Sequence, residues 1–179
     1  KSVETPFPVR PPQIFSYVHC ESGETIYGCL FKPKNYDHNK SYPTLCYIYG
    51  GPHVQLVANK YSLTCSGRLQ MMASLSFLVF VFDGRGSNNR GLKFEGYLRE
   101  KMGQFEVSDT VQGIKHVMSL QSKQQDENSK IEANIDPKRI GIFGWSYGGY
   151  LSLMAMGQHA DFFKVAVSGA PVSMWELYD

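Results

Sequence analysis

Apolar residues fall along this chain in short bursts of two kinds. Ile14 to Cys20 and Thr25 to Pro33 are rich in Tyr, Phe, Ile and Val, and Glu21-Ser22-Gly23-Glu24 separates them. That pattern predicts an antiparallel hairpin. Asn35 to Lys40 is polar and reads as a loop. Tyr42 to Tyr49 is a continuous run ending in Gly50-Gly51-Pro52, and Phe77 to Phe82 is another, ending in Asp83-Gly84-Arg85-Gly86-Ser87. Such runs fit strands covered on both faces, as in a parallel sheet. Between them, Ser62 to Leu75 carries Leu69, Met72 and Ala73 at helical spacing. Residues 88–104 are glycine-punctuated and read as irregular. From Phe105 onward Val107, Val111, Ile114 and Met118 share one helix face,. Gln121 to Asn134 is polar, lacks apolar periodicity and predicts a mobile surface insertion. Asp136-Pro137 predicts a turn into the strand Arg139 to Phe143. A helix-like run, Tyr150 to Met156, and one more strand, Phe163 to Ser168, follow.

A hairpin followed by strands alternating with helices describes an α/β sheet with an antiparallel start. In open sheets of this class, working groups collect at the C-terminal strand ends. Here those ends carry Tyr49-Gly50-Gly51-Pro52, Asp83-Gly84-Arg85, Ser146 and Ala170-Pro171-Val172.

Composition narrows the field. The 179 residues are 42% apolar, enough for one domain with a sizeable core,. A net charge of +2, from 18 basic and 16 acidic side chains, argues against nucleic acid and against an anionic membrane surface as partners,. No apolar run approaches the roughly 20 residues that span a bilayer. Pro6, Pro8, Pro11 and Pro12 make residues 1–13 an extended segment, either a connection from an upstream domain or a frayed end,. Lacking both a signal-peptide core and an initiator Met, the chain reads as a piece of a longer one. Cys20, Cys29, Cys46 and Cys65 form no C-x-x-C pair, so no metal site is expected,. The first three lie in apolar runs, as free buried thiols of a reducing compartment do.

The chemistry concentrates at Gly144-Trp145-Ser146-Tyr147-Gly148, between a strand pattern and a helix pattern. Small residues also cluster in ordinary turns, but strand, tight turn and helix together make the context of a nucleophile elbow. The helix N-terminus would offer backbone N–H groups to a developing oxyanion. Of the histidines, His53 lies just past a strand end and reads as a loop or rim residue, with a base for Ser146 the lesser alternative, and His159 reads as a surface residue beyond the elbow helix. Asp83 reads as a turn former, and Arg85 as a structural turn arginine with substrate contact as its other reading.

Five motifs in order resemble the prolyl oligopeptidase family of serine peptidases. They are Tyr49-Gly50-Gly51-Pro52, Phe82-Asp83-Gly84-Arg85-Gly86-Ser87, Gly103-Gln104-Phe105-Glu106, Gly144-Trp145-Ser146-Tyr147-Gly148-Gly149 and Ala170-Pro171-Val172-Ser173-Met174-Trp175. The resemblance is to the dipeptidyl peptidase IV branch. Within it, Gly50 to Val57, Arg90 to Gly96 and Leu151 to Met154 look most like the cytosolic dipeptidyl peptidases. It implies an α/β-hydrolase fold of which this chain holds the N-terminal part, residues 14–179, entered from a propeller domain through residues 1–13. It implies Ser146 as the acylated nucleophile, the Tyr147 N–H and Tyr49 hydroxyl as oxyanion donors, and Val172, Trp175 and Tyr178 as part of an apolar S1 pocket for proline. Core packing is the other reading of Tyr49, Trp175 and Tyr178. The implied activity is release of X-Pro or X-Ala dipeptides from peptide N-termini, without cofactor or metal, by a parent that forms a homodimer. The family's triad Asp and His follow the nucleophile strand and belong beyond Asp179, so residues 1–179 alone are expected to be inactive. The competing readings are a truncated, non-catalytic isoform that acts by binding partners, and an esterase or acylaminoacyl peptidase of the same fold.

Overall fold

The computed structural model describes residues 10–60, 66–121 and 131–178. Strands β1 (Gln13–Val18) and β2 (Thr25–Phe31) pair antiparallel, with Gln13 opposite Leu30 and Val18 opposite Thr25. The reversal is closed by the His19 N–H, which donates to the Glu24 carbonyl at 2.8 Å. Then come β3 (Tyr42–Tyr47), α1 (Gly67–Ser74), β4 (Leu78–Asp83), the short helix α2 (Leu92–Glu95) and α3 (Phe105–Gln121). Strand β5 (Ile135–Trp145), α4 (Tyr147–Gln158) and β6 (Val165–Gly169) follow. Among the described residues six strands form one sheet in the order β1-β2-β4-β3-β5-β6. β3 runs parallel to β4 and β5, and β5 parallel to β6, while β2 joins β4 antiparallel. The expected α/β sheet with an antiparallel start is therefore the observed one.

The core lies on both faces of β4, whose six residues are all buried. Leu78, Phe80 and Phe82 point into a large cluster with Phe15, Ile26, Val111, Ile114 and Leu151, under α3 and α4. Val79 and Val81 point the other way, onto Cys29, Phe31, Leu69 and Ala73 under α1. The two-residue period of a strand thus feeds two layers from one continuous apolar run. At the opposite edge, β6 exposes more than half of Val165 and Val167.

Several expectations change. Residues 88–104 are not simply irregular: α2 and a 3₁₀ turn at Gly96–Leu98 form because Phe94 and Leu98 are buried in or against the core. Asp136-Pro137 does not precede β5 but lies inside it. Tyr42 pairs with Ile135 while Thr44 pairs with Ile140, so the extra residues of β5 bulge out. The turn chemistry is still there, with Asp136 accepting the Lys138 N–H and pairing with Arg139 at 2.7 Å. Cys20 is exposed beyond the end of β1, whereas Cys29 and Cys46 are buried thiols, the first pushed up to about 12 by burial. Phe163 is fully buried ahead of β6 rather than part of it. Residues 1–9 of the leading segment, 62–65 of the expected first helix together with Cys65, and most of the polar insertion lie outside the described residues.

One buried ionic cluster ties hairpin, loop and helix together. Asp109 of α3 pairs with Arg85 at 2.6 Å and also accepts the Arg85 backbone N–H. The Tyr17 hydroxyl donates to the Asp109 carbonyl, and the His19 ring lies 3.0 Å from the Arg85 guanidinium. Arg85 is thus a buried turn residue, stacked over Phe105 at 4.4 Å. Replacing Asp109 by Ala leaves that guanidinium without its counter-charge, at an expected cost of about 3–5 kcal/mol. Urea unfolding measures it, and a midpoint within error of wild type would contradict the assignment.

Candidate active site

The chain turns from β5 to α4 on the single residue Ser146, at φ 57° and ψ −119°. A side chain there is strained, at a cost of about 1–3 kcal/mol, and persists only if its surroundings hold it. Two backbone bonds do so: the Ser146 N–H donates to the Gly169 carbonyl at 2.9 Å, and the Tyr150 N–H donates to the Ser146 carbonyl at 3.1 Å. The flanking glycines are required by close approach. A Cβ on Gly148 would stand 2.1 Å from the Ile48 carbonyl oxygen, and one on Gly144 2.3 Å from the Gly148 carbonyl oxygen. These neighbours are backbone and have no rotamer by which to give way.

Ser146 opens into a cavity of about 640 Å³ at the C-terminal edge of the parallel strands. Tyr49, Tyr147, Val172, Trp175 and Tyr178 line the same cavity, so all six residues singled out from the sequence meet there. Tyr49 arrives because β3 neighbours β5: the Ile48 N–H donates to the Phe143 carbonyl, and the next residue clears the sheet edge. Its ring lies 6.2 Å from that of Tyr147. In the first turn of α4, the N–H groups of Tyr147, Gly148 and Gly149 have no backbone acceptor among the described residues. They are donors of the sort an oxyanion takes up.

The far wall is aromatic. Trp175 meets Tyr147 edge-on at 6.0 Å, Tyr150 at 5.3 Å and Tyr178 at 5.6 Å. Tyr178 is 65% exposed, so it forms a rim rather than a core contact. His53 also lines the cavity and is exposed, at φ 69°. Among the described residues no hydrogen bond joins it to Ser146. His159 caps the far end of α4, while His19 belongs to the buried cluster at Arg85. Among the described residues no group of three or more His, Cys, Asp or Glu is placed to hold a metal ion, and no helix is long and apolar enough to cross a membrane.

Two carboxylates shape this edge through partners distant in sequence. Asp83, at the end of β4, accepts the Leu56 and Val57 N–H groups at 2.9 and 2.7 Å. It anchors the loop that carries His53 and Val54. Burial pushes its carboxyl up to about 6 although those donors oppose the shift. Glu106, in the first turn of α3, accepts the Tyr147 hydroxyl at 2.5 Å and the Gly103 N–H at 3.0 Å. Burial raises its carboxyl, while Tyr147 and Gly103 pull the other way. The Tyr147 phenol is raised by its own burial and then by the Glu106 charge. The local signal for Glu106 was present: a first-turn Glu three residues after a glycine reaches back to a backbone N–H, in the manner of a capping side chain. Its second partner, 41 residues away, left no local trace.

The model of the prolyl oligopeptidase family matches residues 63–179. Dipeptidyl peptidase 8 of Mus musculus is 50% identical over 169 residues, covering 94% of this chain and 18% of that protein. Dipeptidyl peptidase 8 of Homo sapiens is 48% identical over the same length, and dipeptidyl peptidase 4 of Sus scrofa 35% identical over 157 residues. A crystal structure from Bacteroides ovatus, provisionally assigned as a dipeptidyl aminopeptidase IV, superposes with a TM-score of 0.81 at 35% identity. That match covers 94% of this chain and 22% of the Bacteroides one. The chain spans about a fifth of the length of the curated relatives it matches. A family match over more than half the chain, on a sheet that turns at a strained serine, leads to one conclusion: this chain belongs to the prolyl oligopeptidase family of peptidases, in the branch that holds dipeptidyl peptidase 8.

Proposed function

We propose that residues 14–179 are the nucleophile-bearing part of a serine dipeptidyl peptidase catalytic domain, entered through residues 1–13. The full-length protein would release X-Pro and X-Ala dipeptides from peptide N-termini. One observation carries the reading: Ser146 occupies a strained strand-to-helix turn and shares one cavity with Tyr49 and the aromatic wall of Trp175 and Tyr178.

In this reading the Ser146 Oγ attacks the scissile carbonyl carbon and gives its proton to the family's histidine, which the resemblance puts beyond residue 179. The carbonyl oxygen becomes an oxyanion and accepts hydrogen bonds from the Tyr147 N–H and the Tyr49 hydroxyl. Collapse expels the new peptide amine, which takes that proton, and leaves the dipeptide as an ester on Ser146. Water then releases it by the same route. A proline side chain suits the wall of Val172, Trp175 and Tyr178: an X-Pro amide carries no N–H, so an apolar surface strands no donor. None of these steps needs a metal or cofactor. A cytoplasmic location follows from the relatives the sequence resembles, and the buried free thiols Cys29 and Cys46 suit a reducing compartment,. Formation of a homodimer rests on the resemblance.

In the full-length gene product, Ser146→Ala is expected to lower kcat on a Gly-Pro reporter by at least about 10³-fold with the fold intact. Retention of near-wild-type kcat would remove Ser146 from the nucleophile role. Tyr49→Phe deletes one oxyanion donor and is expected to lower kcat by about 10²–10³-fold, read on the same reporter. A drop in binding alone, with kcat unchanged, would reassign Tyr49 to the wall. Residues 1–179 expressed alone are expected to turn over no reporter, since a serine hydroxyl without an adjacent base is a weak nucleophile. Steady turnover by that polypeptide would point to a base within it, and His53→Ala would then be the next variant.

A further inference from the structure

We propose that Glu106 is a positioning residue for substrate selectivity, holding the Tyr147 ring in place as the wall that receives the residue before the scissile bond. The proposal rests on the reading above and adds a residue to it. Tyr147 is the hub of the aromatic wall: its ring meets those of Tyr49, Tyr150 and Trp175 at 6.2, 5.7 and 6.0 Å. Packing alone lets a ring tilt and slide. Here the hydroxyl is tethered to the Glu106 Oε1, and that carboxylate is itself fixed by the Gly103 N–H. Both residues are buried, at 7% and 3% exposure, so loss of the tether leaves a hydroxyl or a carboxylate short of a partner,.

The same side chain packs against the backbone between Tyr49 and Gly51, which line the cavity. Gly50 has φ +61°, and a Cβ built on it would lie 3.1 and 3.2 Å from the Glu106 Cβ and Cγ. The methylenes of Glu106 therefore sit under the backbone that follows Tyr49, while its carboxylate holds Tyr147. One buried residue thus both supports the backbone next to Tyr49 and holds the Tyr147 ring, and Tyr49 and Tyr147 both line the cavity.

The test measures kcat and KM of the full-length gene product on paired Ala-Pro and Ala-Ala reporters, with urea unfolding in parallel. Glu106→Ala and Tyr147→Phe are expected to lower the proline-to-alanine ratio of kcat/KM about tenfold, the scale on which a misfitted apolar pocket loses discrimination. The loss is expected in KM of the proline reporter, because wall contacts are made in ground and transition states alike. Glu106→Gln keeps an acceptor for the Tyr147 hydroxyl and is expected to hold the ratio within about threefold of wild type. The Glu106→Ala, Tyr147→Phe double variant should lose no more than the worse single variant, since both remove one tether. Should Glu106→Ala fail to fold, Tyr147→Phe and Glu106→Gln carry the comparison. Equal losses on both reporters, tracking the loss of stability, would overturn the selectivity role. An inert wild type would instead overturn the peptidase reading, and this proposal with it.

Discussion

At Gly148 the backbone of α4 passes so close to the segment after β3 that a Cβ would stand 2.1 Å from the Ile48 carbonyl oxygen. Everything at the active edge depends on that approach. It lets a helix begin one residue after a parallel strand ends, so the first N–H groups of α4 and the Ser146 side chain share one opening. It also sets Tyr49 beside Tyr147, because Ile48 and Tyr49 are the residues the helix passes over. Strain at Ser146 follows: no relaxed backbone makes so short a turn, and the bonds to Gly169 and Tyr150 hold it in place,. Larger residues at Gly144 or Gly148 would separate helix from sheet, and the cavity would lose its floor.

Features carried by near neighbours were legible in the sequence. The β1–β2 hairpin, the buried run of β4, the face of α3 and the elbow all announce themselves within about twenty residues. What depends on another element did not. Asp136-Pro137 has turn chemistry, and only the pairing of β5 with β3 makes that turn a bulge inside a strand. Phe94 and Leu98 lie in a glycine-punctuated stretch without a period, and only the core above them reveals two short helical turns. Cys20 ends an apolar run, yet the strand stops two residues earlier and leaves it exposed. The family resemblance named six cavity residues because it transfers positions already brought together by a fold. It said nothing of Glu106 or Asp109 beyond their place in or near a motif, since their partners are 41 and 24 residues away.

Those two carboxylates and Asp83 form a pattern at one end of the sheet. Each is buried, and each binds the backbone of a loop bordering the active edge: Asp83 the 56–57 amides, Glu106 the Gly103 amide and Asp109 the Arg85 amide. Burying a carboxylate is costly unless its oxygens are taken up. Asp109 has a guanidinium against it. Among the described residues Asp83 has only N–H donors in direct contact, and burial pushes its carboxyl up against their opposing pull. For Asp83 the folded pKa lies above the ordinary value, so ionisation works against the fold as pH rises from about 4 through 6,. The charge is thus a cost set against holding a loop at a fixed position.

A fixed position is what a site of this kind requires. Hydrogen-bond donors aimed at an oxyanion are effective when they need no reorganisation at the moment of reaction, and loops are the least rigid parts of a fold. The loops around this cavity carry Tyr49, His53 and the Gly103 turn, and each combines a buried apolar residue nearby (Ile48, Val57, Leu98) with a polar tie. Backbone N–H groups tied to buried carboxylates add to that apolar anchoring. Such a bond is directional and short, whereas an apolar contact tolerates sliding. Polar groups on β4 and α3, both elements of the core, therefore fix the loops that surround the turn which the Gly148 approach sets. Ser146 sits between the two regimes, with backbone packing below it and carboxylate-held loops around it, and its position is the product of both.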